Sequence, residues 1–432
     1  MPASILIKQV GIASATEVSR APHDVLIVDG VYREIAPSNE ANFSIPENTH
    51  TIDGEGKVMM PGMFDAHVHF REPGQEAKEN IESGCAAAVN GGITGVTMMP
   101  NTAPSIDDAT TVKRVLETAA KVSPIQMLTS GCLTKNREGH EMASISGMLD
   151  QGVTMLTDDG DAVPNPMLLL NTMRYAKELG AFFASHCEVP ELAGPRALNE
   201  GVQSYKLGIV GSPQIAEEIC ISRDIQIAHA AGAHLHIQHV SSMNGLKIIN
   251  FWRHEMGANV TCEVSPHHLL FNDQDIADFD THYKMNPPLR TAEDNAYLQQ
   301  ALIDGHFDLI ATDHAPHTPF EKAQNFQDAP NGITGLDSAV ICLFDAFIAT
   351  GRFDWDLIVK RYSTKPRELM RQDAISVTVG EQANFLVFNE SGETTFTPEY
   401  MKSKAENTPY LNKTLKGSID VVGLGSELLV ER

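Results

Sequence analysis

The sequence is short of the features that would carry a chain across a membrane or onto a polyanion. Six cysteines, Cys85, Cys132, Cys187, Cys220, Cys262 and Cys342, are scattered through 432 residues without a C-x-x-C spacing. That excludes a zinc ribbon or a dithiol redox motif and reads as reduced, packed thiols. No uncharged apolar run approaches the roughly 18–20 residues of a membrane span, and Met1 to Val10 has no long apolar stretch behind a basic start. A soluble, cytoplasmic chain is the expectation. Basic residues are scarce, 32 against 56 acidic ones, for a formal net charge of −24. Such a field repels nucleic-acid phosphates and anionic membrane surfaces. It does not exclude a small anionic substrate, because an arginine in a cleft acts locally while distant charges are screened over about 8–10 Å. No G-x-G-x-x-G occurs, so the phosphate loop of an open dinucleotide-binding sheet is missing.

What is present is a repeat of short apolar runs, many ending in a polar or turn residue, separated by segments of helical spacing. The runs are Phe64 to Phe70, Gly95 to Pro100, Ile125 to Gly131, Val153 to Asp158, Ala181 to Cys187, His234 to Val240, Val260 to Ser265 and Leu309 to His314. Helix candidates between them include Asp108 to Lys121, Pro166 to Leu179, Ala216 to Ala231, Ser242 to Met256 and Ala292 to Asp304. Eight β/α units predict an α/β fold, a closed (β/α)8 TIM-like barrel over residues 61–375. The ends, 1–60 and 376–432, are rich in short β-like runs such as Val25-Leu26-Ile27-Val28 and Asn384-Phe385-Leu386-Val387-Phe388. They predict one small composite β domain, with Pro61-Gly62 marking the entry to the barrel.

A barrel places its chemistry at the carboxyl ends of its strands, and the ionisable residues fall there. His67 and His69 stand two apart on the first run, so they share a face, and Arg71 continues that parity. Asp158 and Asp159 end the fourth run, His186 the fifth, His239 the sixth and Asp313 the eighth. Imidazole and carboxylate together are a ligand set for zinc or another divalent transition metal. A His-x-His pair alone is as common among packing histidines; convergence at one barrel mouth is what favours a site. His23, His50, His140, His229, His254 and His306 read as structural, and so do His267, His268 and His282. His234 and His236 stay open. Cys187 neighbours His186, but its parity turns it away.

The run Pro61-Gly62-Met63-Phe64-Asp65-Ala66-His67-Val68-His69-Phe70-Arg71-Glu72-Pro73-Gly74 resembles the entry signature of class I dihydroorotases. Further landmarks follow in order: Met99-Pro100-Asn101-Thr102, Thr157-Asp158-Asp159-Gly160, Ser185-His186-Cys187-Glu188, Tyr283 to Arg290 and Ala311 to His317. The resemblance implies one or two divalent ions, zinc foremost, with His67, His69 and Asp313 on one, His186 and His239 on the other, and Asp159 between them. Many relatives bridge with a carboxylated lysine, but Gln151 to Gly160 contains none; Asp158 is the alternative bridge. It also implies that Arg71, Asn101 and His317, with His69 beside them, hold a substrate carboxylate, and that Asn286 contacts the ring.

The implied activity is reversible hydrolysis of (S)-dihydroorotate to N-carbamoyl-L-aspartate by metal-activated water in de novo UMP biosynthesis, with Asp313 moving the proton. Homo-oligomers and association with aspartate transcarbamoylase fit the same resemblance. One departure is Asn331, where the family often has an aromatic residue before glycine. The rivals are an allantoinase or dihydropyrimidinase, and a non-catalytic scaffolding subunit; Arg71 argues against the first and the complete ligand set against the second.

Overall fold

Strand pairing divides the chain into two kinds of sheet in the computed structural model, which describes residues 4–194 and 197–432. The N-terminal strands are β1 (Ser4–Ala13), β2 (Val18–Val28), β3 (Val31–Pro37), β4 (His50–Asp53) and β5 (Lys57–Pro61). The central ones are β6 (Met63–Val68), β7 (Ile93–Met98), β8 (Gln126–Thr129), β9 (Met155–Leu156), β10 (Phe182–Ser185), β11 (Leu235–Ile237), β12 (Val260–Val264) and β13 (Leu309–Ile310). Three close the chain: β14 (Asn384–Thr395), β15 (Thr414–Leu424) and β16 (Glu427–Glu431).

Both ends of the chain enter one mixed sheet, ordered β16-β15-β14-β5-β1-β2-β3 with β4 on β1. The join is at β5, which runs parallel to β1 and antiparallel to β14. Alternate residues of these strands, among them Ile5, Ile7, Val25, Ile27, Met59, Phe385 and Val387, form a core of their own, as the period-2 rule requires. The eight central strands overlap the eight apolar runs. They form parallel sheets β6-β7-β8 and β9 to β13. Parallel bridges Gly131↔Leu156 and Val68↔His314 lie at the two junctions between these sheets. Helices alternate with the strands, including Ala109–Val122, Pro166–Glu178, Ile215–Ala231, Met243–His254 and Ala292–Ile303. Strands covered on both faces need no polar alternation, and β6 and β7 are buried at every residue.

Strand β6 departs from simple alternation in a way that matters to the site. Phe64 and Ala66 belong to a core with Phe182, Ala184, Leu309 and Ala311, whereas Val68, of the same parity, belongs to the separate main core that also holds Met63 and Phe70. The pairing with β7 shifts between Asp65 and Val68, and such a bulge re-aims side chains. Phe70 seats against the helix Ile81–Asn90 at Gly84, where an added Cβ would lie 2.4 Å from the ring.

Asp65 fastens β6 to the end of β13. Its carboxylate accepts from the backbone N–H of His67 and Thr312 and from the Tyr362 hydroxyl at 2.6 Å. Burial pushes its pKa up to about 6 against these donors. Asp65→Ala leaves buried donors without an acceptor and is expected to cost about 2–3 kcal/mol of stability; a lowered thermal midpoint checks it, and an unchanged midpoint refutes it.

Candidate metal centre

Four histidines and two aspartates meet at the carboxyl ends of the central strands. His67 Nε2 lies 3.5 Å from Asp159 Oδ1 and 3.4 Å from Asp313 Oδ1. His69 Nε2 lies 3.4 Å from Asp159 Oδ2 and 2.9 Å from Asp313 Oδ1. On the other side His186 Nδ1 and His239 Nε2 are 2.9 Å apart, each 3.9 Å from Asp159 Oδ1. Asp159 therefore stands within reach of all four imidazoles. Asp158 does not compete: its oxygens accept from the Leu133 and Thr134 N–H groups and from the Thr134 hydroxyl. The resemblance puts Asp159 between the ions with Asp158 as the alternative, and the loop at residues 133–134 claims that alternative.

Charge and hydrogen bonding test whether this cluster suits a divalent cation. Asp159, Asp313 and Glu263 are all buried, and ionised carboxylates out of water demand a counter-charge. Burial disfavours a charged His67, yet Asp159, Glu263 and Asp313 overcome it and hold its pKa well above the usual range. His69 and His239 are depressed, chiefly by burial. Asp159 Oδ1 is buried with no hydrogen-bond partner among the described residues. An orphaned carboxylate oxygen facing several converging imidazole nitrogens fits cation binding. The triads His67-His69-Asp313 and His67-Asp159-His239 each converge closely enough to hold one ion.

The backbone is strained where the site needs it. Arg71, His239 and Asp313 have φ of 60°, 30° and 49°, left-handed values rare outside glycine. Asp313 is over-determined by its neighbours: Thr312 N–H donates to Asp65, and His314 packs its ring between Glu79 and the N–H groups of Gly335 and Leu336. Arg71 lies beyond the end of β6, so it reaches the pocket by this turn and not by strand parity.

The sequence does not single out Glu263, and it leaves His236 open. Glu263 Oε1 is 2.6 Å from His67 Nδ1 and accepts from His239 N–H, while Oε2 is 3.0 Å from His236 Nε2. Burial works against its charge, but His67 and His236 hold its pKa below the usual carboxylate range. A single acid inside the apolar run Val260–Val264 was the available signal. Cys187 lies outside the centre, in a buried cluster with Cys220 and Asp224, where Ser185 and Arg223 already occupy the carboxylate.

A cavity of about 280 Å³ opens beside the cluster, lined by His69, Arg71, Asn101, Asn286, His317 and Asn331 among others. Asn101 Oδ1 meets His69 Nδ1 at 2.8 Å, and Asn286 Nδ2 meets His186 Nε2 at 3.0 Å. His317 Nε2 donates to the Asn331 carbonyl at 2.9 Å; burial, with Arg71, Lys78 and Lys322 nearby, pushes its pKa down to about 2, so the ring is neutral. Arg71 is 8 % exposed, and its hydrogen bond runs from Nε to the Pro316 carbonyl at 3.4 Å. Glu72, the nearest acid in sequence, instead accepts from Ile81 N–H. Among the described residues no helix is long and apolar enough to cross a membrane.

Comparison with known proteins agrees with this geometry. Residues 56–245 match the family described as dihydro-orotase-like. A dihydroorotase of Carboxydothermus hydrogenoformans is 38% identical over 96% of this chain and 95% of its own. One from Brevibacillus brevis is 41% identical over 85% of this chain and 86% of its own. Among solved structures, the L-hydantoinase of Arthrobacter aurescens superposes with a TM-score of 0.85 at 22% identity, over 99% of this chain and 96% of its own. The dihydropyrimidinase of Brevibacillus agri NCHU1002 gives 0.83 at 22%, over 99% and 95%. At that identity the structures speak for the fold alone, an α/β fold with parallel sheets. The sequence relatives match across nearly the full length of both chains, and on that ground this chain belongs to the dihydroorotase family, metal-dependent hydrolases of cyclic amides.

Proposed function

We propose that the chain hydrolyses the ring amide of dihydroorotate reversibly to N-carbamoyl-L-aspartate, and that the observation carrying this is Arg71 buried beside the His and Asp cluster without a carboxylate partner among the described residues. A guanidinium matches a carboxylate in bidentate fashion, and dihydroorotate carries one on its ring. Asn101 and His317 line the same cavity as Arg71, and Asn286, beside His186, is the residue we assign to the ring. His67, His69 and Asp313 would hold one zinc ion, and His186 and His239 a second, with Asp159 between them. When bound, such an ion polarises a carbonyl and lowers the pKa of water from 15.7 toward about 7.

The chain's own groups supply the rest. The Asp313 carboxylate accepts the proton of the attacking water and passes it to the departing ring nitrogen. Arg71 fixes the carboxylate, so the amide carbonyl is presented to the metal centre in one orientation. We read the bridges at the two sheet junctions as closure of a (β/α)8 barrel over residues 61–375, with residues 1–60 and 376–432 forming the composite β domain.

Following dihydroorotate by ultraviolet absorbance with metal-loaded protein, against dihydrouracil and hydantoin, tests the reading. Dihydroorotate is expected to be strongly preferred, and no turnover of it in either direction would sink the proposal. Glu263 orients His67 through Nδ1, leaving Nε2 for the metal. Glu263→Gln is expected to weaken metal retention about 10–100-fold, read by metal analysis after graded chelation; unchanged retention would remove Glu263 from the site.

A further inference from the structure

Two lysines that the chemistry above does not use grip one loop of the pocket. Lys284 Nζ donates to the carbonyls of Gln327 and Ala329 at 2.9 and 2.5 Å. Lys322 Nζ donates to those of Pro330 and Gly332, both at 3.1 Å. Both lysines are buried, and burial pushes them down to about 8 and about 7 respectively. A buried ammonium is costly, so two of them committed to one stretch of backbone call for a reason.

The stretch they hold, residues 327–332, contributes Asn331 to the wall of the substrate cavity. Asn331 lines that cavity, its Oδ1 is buried without a hydrogen-bond partner, and its backbone carbonyl accepts from His317 Nε2. The loop closes back on the same elements: Gly332 N–H donates to the Lys284 carbonyl, and Asn407 Nδ2 bridges the Ala315 and Gly332 carbonyls. Gly332 has φ of 155°, and an added Cβ would lie 2.4 Å from the Ala315 carbonyl. The loop's carbonyls thus converge on cations, while the Asn331 amide oxygen, unpartnered among the described residues, lies at the cavity. A cyclic ureide has N–H and C=O groups along its edge that such an amide can bind.

The geometry points to Lys284 and Lys322 as positioning residues that clamp the 327–332 loop so that Asn331 and His317 meet the polar edge of the substrate. This rests on the activity proposed above. Lysine suits the task because one ammonium can donate to several carbonyls. Lys322→Met and the milder Lys284→Gln are expected to raise KM for dihydroorotate about tenfold, with kcat and metal content little changed. Lys322→Arg is expected to restore part of the loss. Asn331→Ala is expected to raise KM in the parent protein and to add much less in the Lys322→Met background, a coupling that general destabilisation does not produce. Hydrogen exchange of the peptide spanning 325–333 is expected to quicken in both lysine variants, and this needs no substrate. A parent protein inactive on dihydroorotate would therefore overturn the activity, while unchanged loop exchange in a folded variant would overturn the clamp. Unchanged KM in both folded lysine variants, or fully additive effects with Asn331→Ala, would also overturn it.

Discussion

Asp313→Asn is expected to lower kcat for dihydroorotate hydrolysis by about 10²–10⁴-fold, the range that general acid–base groups supply, in a protein that still folds. The side chain sits 2.9 Å from His69 Nε2 and 3.4 Å from His67 Nε2, so it is placed both to hold a cation with them and to exchange a proton beside it. Asparagine keeps the shape but cannot accept a proton, and it removes one of the buried negative charges that balance the cation. Two losses follow, in turnover and in metal retention. The backbone restraints on residues 312–314 come from Asp65, Glu79 and the Gly335 and Leu336 N–H groups, none of which touches the altered atom, so the fold is expected to survive. Steady-state rates taken together with metal content check the prediction. Normal rates at normal metal content would refute the dual role.

How much of this was legible in the sequence depended on whether a residue's meaning was carried by period or by contact. The eight strands were readable because each is a short apolar run bounded by turn residues, and histidines and acids at run ends pointed to one mouth. His67 and His69 were readable for the same reason. The bulge in β6 was not, because it is a matter of pairing with β7, and parity alone extended the strand face to Arg71. The left-handed turn that carries Arg71 into the cavity has no signature in Phe70-Arg71-Glu72. Asp159 was preferred to Asp158 only through the resemblance, since the physical difference between them lies in the Leu133 and Thr134 N–H groups that claim Asp158. Glu263 and His236 lacked a motif; each stands inside an apolar strand and becomes meaningful only when neighbouring strands bring Glu263 to His67 and His236 to Glu263. Asn331 was noticed as a departure, and its pocket-facing amide gives that departure a physical content.

Arg71→Ala is the change that separates a carboxylated substrate from a neutral one. In the intact protein the guanidinium is buried in the cavity wall, burial pushes its pKa down to about 10, and the aspartates of the metal centre pull the other way. A substrate carboxylate would satisfy donors that the Pro316 carbonyl, at 3.4 Å, leaves open. Truncating one partner of a buried charge pair costs about 2–5 kcal/mol, so kcat/KM for dihydroorotate is expected to fall by roughly 30- to 5,000-fold at 1.36 kcal/mol per decade. The fall should appear mainly in KM, because the contact exists in the ground state as well as in the transition state. Turnover of dihydrouracil, which has no carboxylate, should change little. The ratio of the two substrates in parent and variant isolates the carboxylate contact from damage to the metal centre, which would lower both rates alike. If kcat/KM for dihydroorotate were unchanged by Arg71→Ala, the carboxylate would have to be held elsewhere, and the preference over a neutral cyclic amide would lose its physical basis.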